Sequence, residues 1–193
     1  IAWSGGTTNR TIQNRYDAMG QRISRTVNGA TTGYVLSLAS GMERILCDLN
    51  PDSTFTYYVH GPDLSYRETA DGSVVFFHAD AQANIIALTD TNRAVVAQYA
   101  YTPYGRLLNS TNLSLLSTLN SQPFKFVGSQ GVMEELPGLY FMRARYYLAD
   151  VGGFISTDPI KSIGPGWKPV AYGYANGNPY GSMGTNGAPW GAM

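Results

Sequence analysis

The sequence has very few of the residues that usually build disulfide frameworks, metal sites or thiol active sites. One cysteine, Cys47, and two histidines, His60 and His78, occur in 193 residues. A single cysteine excludes an internal disulfide framework and cannot begin a thiolate zinc site without distant ligands. We therefore interpret Cys47 as a small buried hydrophobe, and we predict that the segment holds no metal ion and no cofactor.

Runs of one charge and long apolar runs are also missing. Thirteen basic and thirteen acidic residues cancel, and neither sign clusters. The sequence therefore predicts no nucleic-acid partner. No apolar stretch approaches the roughly 20 residues that a membrane helix needs, so we expect no membrane insertion by this segment. Because the first residue is Ile1 rather than methionine, we expect a processed or excised piece of a longer protein.

The residues that are abundant favour strands and turns. The chain has 22 glycines, 10 prolines and 14 tyrosines, and only 13 % of its residues are charged. Glycine and proline punctuate turns, while tyrosine favours a half-buried pleated surface. We predict an all-β fold of many short antiparallel hairpins. The clearest strand patterns lie at residues 34–38, 44–47, 54–60, 74–78, 84–89 and 94–101.

Two stretches depart from the strand pattern. Residues 107–122 are rich in serine, asparagine, threonine and leucine, and we predict a surface loop with a short helical turn over 113–119. Beyond Ile160 the chain is dense in glycine and proline, which predicts an irregular tail rather than sheet.

Residues 138–159 carry the strongest strand signal and a well-placed acid, Asp158. We predict one strand from Leu139 to Leu148, a turn over 149–153 and a returning strand over 154–156. A turn centred between residues 150 and 151 places Tyr147 opposite Phe154. The same register puts Arg145 opposite Ser156 and Arg143 opposite Asp158.

Several motifs in a fixed order resemble the Rhs (rearrangement hotspot) and YD-repeat proteins, and specifically their carboxyl-terminal Rhs repeat-associated core domain. A Tyr-Asp pair followed by a Gly turn looks like one YD repeat, and later segments look like the core motifs of the family. In chain order the matching segments are YDAMGQR at 16–22, VVFFHADAQAN at 74–84, YTPYG at 101–105, FVG at 126–128, GLYFMRARYY at 138–147, FISTDPI at 154–160 and YGYANGNP at 172–179.

The resemblance implies a fold and a role. Residues 1–33 would be YD-repeat-like strands, 34–160 the core shell strands with the Arg-Ala-Arg-Tyr-Tyr hairpin, and 161–193 a Gly/Pro-rich plug or tail. In this family such hairpins spiral into a large hollow β-shell, and the core closes one end of it. Many members enclose or present a carboxyl-terminal toxin effector, and the family is secreted or at the cell surface. We therefore predict a structural cap of a toxin shell.

The partners that the resemblance implies are the rest of the same shell, or an associated shell chain, and an enclosed effector polypeptide. A rolled strip of strands has open edges that need pairing, which agrees with a continuing sheet. An alternative is an extracellular adhesion or scaffold protein whose YD-repeat shell holds no effector.

A second alternative is an active aspartyl autoprotease, because toxin-type members resemble such an enzyme. That chemistry needs two carboxylates that share a proton. Asp158 stands in the first motif, but the expected glycine after Asp-Pro-Ile is Lys161, and Gly184-Thr185 stands where the second Asp-Pro is expected. Asp150 is the nearest candidate for a partner acid. These vacated positions favour a degenerate protease frame.

The structural role predicted for Asp158 is a buried ion pair with Arg143 or Arg145 that ties the end of the hairpin. An arginine partner favours an ionised carboxylate, whereas a protease dyad needs one protonated carboxyl group. The residue beside Asp158 therefore distinguishes the two roles.

Overall fold

The protein is seen in a computed structural model that describes residues 2–3, 10–39, 42–112, 122–158 and 170–179. The chain divides into two compact units, one of residues 1–60 and 66–74 and the other of residues 61–65 and 75–193. The helical turn predicted over 113–119 and the positions of Lys161 and Gly184 lie outside the described residues. The three-part division predicted at residues 33 and 160 stays a prediction.

The first unit is an antiparallel strip in which consecutive strands pair from β1 to β6. Its strands are β1 (Ala2–Trp3), β2 (Arg10–Tyr16), β3 (Arg22–Val27), β4 (Ala30–Ser37), β5 (Arg44–Leu49), β6 (Phe55–His60) and most of β7 (Leu64–Thr69).

The second unit holds two groups of strands. The first group, in which neighbours pair antiparallel, is β8 (Val74–Ala79), β9 (Ile85–Thr89), β10 (Val95–Tyr101) and β11 (Leu107–Asn112). The second is a small sheet of β12 (Met133–Leu136), β13 (Leu139–Met142), β14 (Arg145–Leu148) and β15 (Gly153–Phe154). Short 3₁₀ helices cover Gly128–Gln130 and Ala175–Gly177.

The prediction of an all-β fold built from antiparallel hairpins is confirmed. The helices of the described residues are the two 3₁₀ turns, and neither is long or apolar enough to cross a membrane.

Six turns in the described residues share one hydrogen-bond pattern. The amide of the first residue donates to the carbonyl of the fifth, and the amide of the fourth donates to the carbonyl of the first. The fourth residue has a positive φ each time, as in a type I turn followed by a bulge residue. The first residues of the six turns are Asp17, Asn50, Thr69, Asp80, Asp90 and Thr102.

The prediction of one continuous strand from Leu139 to Leu148 is wrong. The chain reverses at Arg143 and Ala144, so β13 and β14 pair with each other, with Leu139 opposite Leu148 and Met142 opposite Arg145. Arg143 adopts a φ of 54°, a left-handed conformation that few non-glycine residues adopt. Residues 142–145 include no Gly, Asn, Asp or Pro, the residues that usually indicate a turn. The alternation of apolar residues therefore predicted that the strand continues through them.

One smaller prediction is also corrected. Residues 107–112, predicted as loop, form β11 and pair with β10. Within β10 the register with β9 shifts between Val95 and Ala97, so the alternation of exposed and buried side chains is interrupted there. Val95 is consequently 38 % exposed while Ala97 is fully buried.

The core of the second unit is aromatic and centres on Phe126, which is 3 % exposed. Its ring lies 5.6 Å from Tyr140 and 6.0 Å from both Tyr147 and Tyr174, measured between ring centroids. Aromatic pairs at this spacing add to the free energy gained by burying their area. The small sheet, the segment before β12 and residues 174–175 thus share one core.

Candidate functional site: the closing hairpin and its buried ion pair

Asp158 and Arg145 form a buried ion pair at the end of the closing hairpin, which we define as β14, β15 and the turn between them. An Arg145 Nη2 to Asp158 Oδ2 distance of 2.7 Å joins them, and their side chains are 2 % and 3 % exposed. β14 and β15 pair with Tyr147 opposite Phe154, the predicted register. Because the strands are antiparallel, the residues after Phe154 run back along β14 towards Arg145.

Other contacts hold the same pair in place. The Arg145 guanidinium carbon stacks 3.6 Å from the centroid of the Phe154 ring, a cation–π contact. The Asp158 amide donates to the Ala171 carbonyl over 2.9 Å, and Arg145 Nη1 donates to the same carbonyl over 3.4 Å. Burial lowers the pKa of Arg145, while the charge and hydrogen bond of Asp158 raise it. The pair thus joins the hairpin to residue 171, thirteen positions after Asp158.

Arg143 and Asp150, the other residues predicted near Asp158, lie at other positions. Arg143 occupies the β13–β14 turn, where its Nη2 donates to the Gln130 carbonyl over 2.6 Å. Asp150 is exposed in the β14–β15 turn and lines a cavity of about 380 Å³ together with Thr102, Tyr104 and Arg106. Arg145 therefore contacts the carboxylate of Asp158, whereas Asp150 lies beside Thr102, Tyr104 and Arg106.

The turn Tyr101–Gly105 is clamped to the small sheet by tyrosine hydroxyls. Tyr140 Oη donates to the Gly105 carbonyl over 2.9 Å, and Tyr147 Oη donates to the Tyr104 carbonyl over 2.8 Å. Burial raises the pKa of both tyrosines, so they remain donors across the ordinary pH range. The bond to Gly105 is buried and the bond to Tyr104 is partly buried, so both tyrosine hydroxyls tie the turn to the sheet away from bulk water.

A second buried polar cluster lies in the first unit, and sequence reasoning missed it. Asp48, 9 % exposed, accepts a 2.8 Å hydrogen bond from Tyr58 Oη. Burial raises the pKa of Asp48 to about 6, while the Tyr58 hydrogen bond and the charges of Arg22 and Arg67 lower it. Arg22 and Arg67 are themselves 2 % and 4 % exposed. The available signal was an acid inside the apolar run of β5.

The histidines and the cysteine have local structural roles. His60 Nε2 bonds the Ile45 carbonyl over 2.8 Å, and His78 Nε2 bonds Thr89 Oγ1 over 2.8 Å. Cys47 is buried, as expected. Among the described residues no group of three or more His, Cys, Asp or Glu side chains is placed to hold a metal ion.

Comparisons with known proteins find sequence relatives and a solved structure of the same fold. No protein-family model matches it. It is 34 % identical over 166 residues to a tRNA nuclease WapA of Bacillus subtilis and 33 % identical over 170 residues to a tRNA3(Ser)-specific nuclease WapA of Bacillus spizizenii. Each match covers 86 % of this chain but 7 % of the relative.

A solved structure shares the fold. TcdB2-TccC3 without its hypervariable C-terminal region superposes with a TM-score of 0.68 at 15 % identity, over 96 % of this chain and 9 % of that chain. The sequence relatives and this fold are consistent with the Rhs and YD-repeat family. The chain therefore shares the fold of TcdB2-TccC3 and has relatives that are named as nucleases, and it spans a small part of their length.

Proposed function

We propose, from this likeness to Rhs-type toxins, that the chain is the closing cap of a secreted or cell-surface YD-repeat shell that encloses or presents a carboxyl-terminal effector. The cap acts structurally and does not cut the chain through Asp158. The observation that carries this proposal is the buried Arg145–Asp158 pair. Because Arg145 favours the ionised form of Asp158, it opposes the shared proton that the two carboxyl groups of an aspartyl protease need.

The architecture supports closure in three ways. The small sheet β12–β15 shares its aromatic core with residues 174–175. Tyrosine hydroxyls clamp that sheet to the turn after β10. The ion pair fixes the chain after β15 to residue 171. A segment held at so many points is suited to ending a strip of hairpins.

The relatives support the effector part of the proposal. Two of them are named as nucleases. TcdB2-TccC3, which has the same fold, was solved without a region that is described as hypervariable and C-terminal. A constant shell with a changeable end fits a carrier for different effectors. The nuclease activity in those names belongs to those proteins as wholes, of which the chain matches 7 %.

Intact-mass analysis of the full-length protein tests the structural role of Asp158. We expect the wild type and Asp158→Asn to give the same single chain, because the pair does not catalyse cleavage. Asp158→Asn keeps the side-chain shape and one acceptor for Arg145. A wild-type fragment that disappears in Asp158→Asn would show that Asp158 is a protease residue.

Limited proteolysis of the same protein tests enclosure. We expect the effector region to resist a protease in the wild type and to become sensitive in Arg145→Met, which leaves the Asp158 carboxylate buried without its partner. Loss of one member of a buried ion pair typically costs roughly 3–5 kcal/mol. Arg106→Met, an exposed arginine of the same unit, is the matched control and should leave the region protected. Digestion of the wild-type effector as fast as the isolated effector would refute enclosure.

A further inference from the structure

One face of β4, β5 and β6 is apolar and exposed. The strand pairing aligns two cross-strand rows on this face, Gly33–Leu49–Phe55 and Val35–Cys47–Tyr57, and Val59 follows Tyr57 by two positions. We call this surface the apolar face. The exposed fractions of its large side chains are 53 % for Val35, 43 % for Leu49, 43 % for Phe55, 50 % for Tyr57 and 38 % for Val59, whereas the small side chain of Cys47, between Val35 and Tyr57, is buried.

The opposite face of the same strands is polar and buried. The row between the two apolar rows is Tyr34–Asp48–Thr56, and Tyr58 donates from the same face to Asp48. Arg22 stacks 5.3 Å from the centroid of the Tyr34 ring. These three strands thus bury the charged Asp48 on one face and expose large apolar side chains on the other, an arrangement that costs free energy in the isolated sheet. An exposed apolar patch on a rigid sheet marks a contact surface.

The surface suits contacts that do not depend on a particular sequence. Neither row contains a charged side chain, so the face has no fixed charge to select a partner's charge pattern. The Phe55 and Tyr57 rings lie 6.0 Å apart and nearly parallel, with 21° between their planes. Leu49 lies over Gly33, where an added Cβ would be 3.6 Å from Leu49 Cβ. Apolar side chains of many shapes can pack on such a surface.

We propose that the apolar face binds apolar side chains of the effector polypeptide that the shell encloses. This inference rests on the proposed function and names a surface for it. Each WapA relative is more than ten times as long as its matched part, so an occupant is available in the same protein. The solved structure of this fold is described as lacking a hypervariable C-terminal region. A polypeptide of variable sequence suits a face without charge, because apolar contacts do not require particular residues in the partner.

Site-specific photocross-linking in the full-length protein tests the proposal. p-Benzoylphenylalanine replaces Tyr57 in one variant and Met19 in the control, since Met19 is 76 % exposed in a turn of the same unit. We expect cross-links from position 57 to peptides of the effector region, identified by mass spectrometry, and none from position 19. A second variant, Phe55→Thr with Tyr57→Thr, keeps β-propensity while removing the apolar surface, and should speed proteolysis of the effector region at least several-fold.

The outcomes separate this inference from the proposed function. Cross-links from position 57 only to other shell strands, to a second copy of the chain or to nothing overturn the inference. If the effector region stays protease-resistant in that case, the enclosure proposal stands without this surface. If the wild-type effector region is not protected at all, enclosure fails, and the inference fails with it.

Discussion

At the scale of single residues, Asp48 combines burial with a charge that several neighbours stabilise. Its Oδ2 accepts from Tyr58, while its Oδ1 is buried and has no hydrogen-bond partner among the described residues. The groups facing it are Tyr58 from β6, Arg22 from β3 and Arg67 from β7, with Tyr34 beside Arg22. Desolvation outweighs these attractions, so the pKa of Asp48 rises from 3.8 to about 6.

This shift predicts a pH-dependent stability of the first unit. Because the folded state holds the Asp48 proton more tightly than the unfolded chain, the contribution of this group to stability is fully present below about pH 4 and is lost as pH rises through 6. A shift of this size corresponds to roughly 3 kcal/mol. We expect the protection of β5 and β6 amides in hydrogen exchange to fall by up to that amount between pH 4 and 7 in the wild type, after correction for intrinsic rates.

Asp48→Asn is the control for this prediction, since it cannot titrate and keeps an acceptor for Tyr58. Its protection should change far less over the same pH range. Equal pH profiles for the wild type and Asp48→Asn would contradict the raised pKa.

Gly105 lies so close to the Phe126 ring that adding a side chain there should lower the free energy of unfolding. A Cβ at Gly105 would lie 2.5 Å from the Phe126 ring, and the φ of Gly105 is +81°. Gly20 occupies the equivalent fourth position of its own turn with a φ of +80°, and nothing lies within 4 Å of its Cβ position. The free energy of unfolding should fall by about 1 kcal/mol in Gly20→Ala, for the backbone conformation alone.

Gly105→Ala should lose roughly 2–5 kcal/mol, because overpacking against Phe126 adds to the backbone strain. Chemical denaturation of each variant against the wild type measures both losses. Equal losses would mean that the ring moves aside without cost.

At the scale of elements, the repeated five-residue turn explains which turns the sequence predicted. The Tyr-Asp pair at 16–17 predicts a following turn, and Asp90 lies between the strands predicted at 84–89 and 94–101. The carboxylates of Asp17 and Asp90 accept the amides of the third and fifth residues of their turns. This bonding is local, so short-range sequence signals reveal it. The reversal at Arg143 was not predictable, because its support is the distant Gln130 carbonyl.

The turn at Asp90 allows a direct test of this local bonding. Asp90 Oδ1 accepts from the Asn92 and Ala94 amides, each over 2.9 Å. Asp90→Ala removes both bonds and should lower the free energy of unfolding by about 1 kcal/mol. Asp90→Asn keeps an acceptor oxygen and should lose only a few tenths of that, as measured by thermal unfolding. A full loss in Asp90→Asn would mean that charge, not the hydrogen bonds, matters.

At the scale of the whole molecule, the sequence predicted the all-β class and the pairing of Tyr147 with Phe154 because both follow from alternation and turn position. It did not predict the buried cluster of Asp48, Arg22 and Arg67, since these residues are far apart along the chain and meet only after the strands pair. Charged residues are buried only where specific partners exist, and a single sequence does not show those partners.

The aromatic core gives the prediction that concerns the second unit as a whole. Phe126 lies in ring contact with Tyr101, Tyr140, Tyr147 and Tyr174, so its side chain joins β10, the small sheet and the segment after residue 170. Phe126→Ala should lower the free energy of unfolding of this unit by about 3–5 kcal/mol, as for other buried phenylalanines. Phe76→Ala, at a phenylalanine of the same unit that is 38 % exposed, should lose much less. Denaturant unfolding, monitored by hydrogen exchange at β13 and β14, measures the difference.

Because the proposed cap closes through this core, the Phe126→Ala full-length protein should also lose protease protection of its effector region while Phe76→Ala keeps it. Retained protection in Phe126→Ala despite the stability loss would show that closure does not depend on the aromatic core.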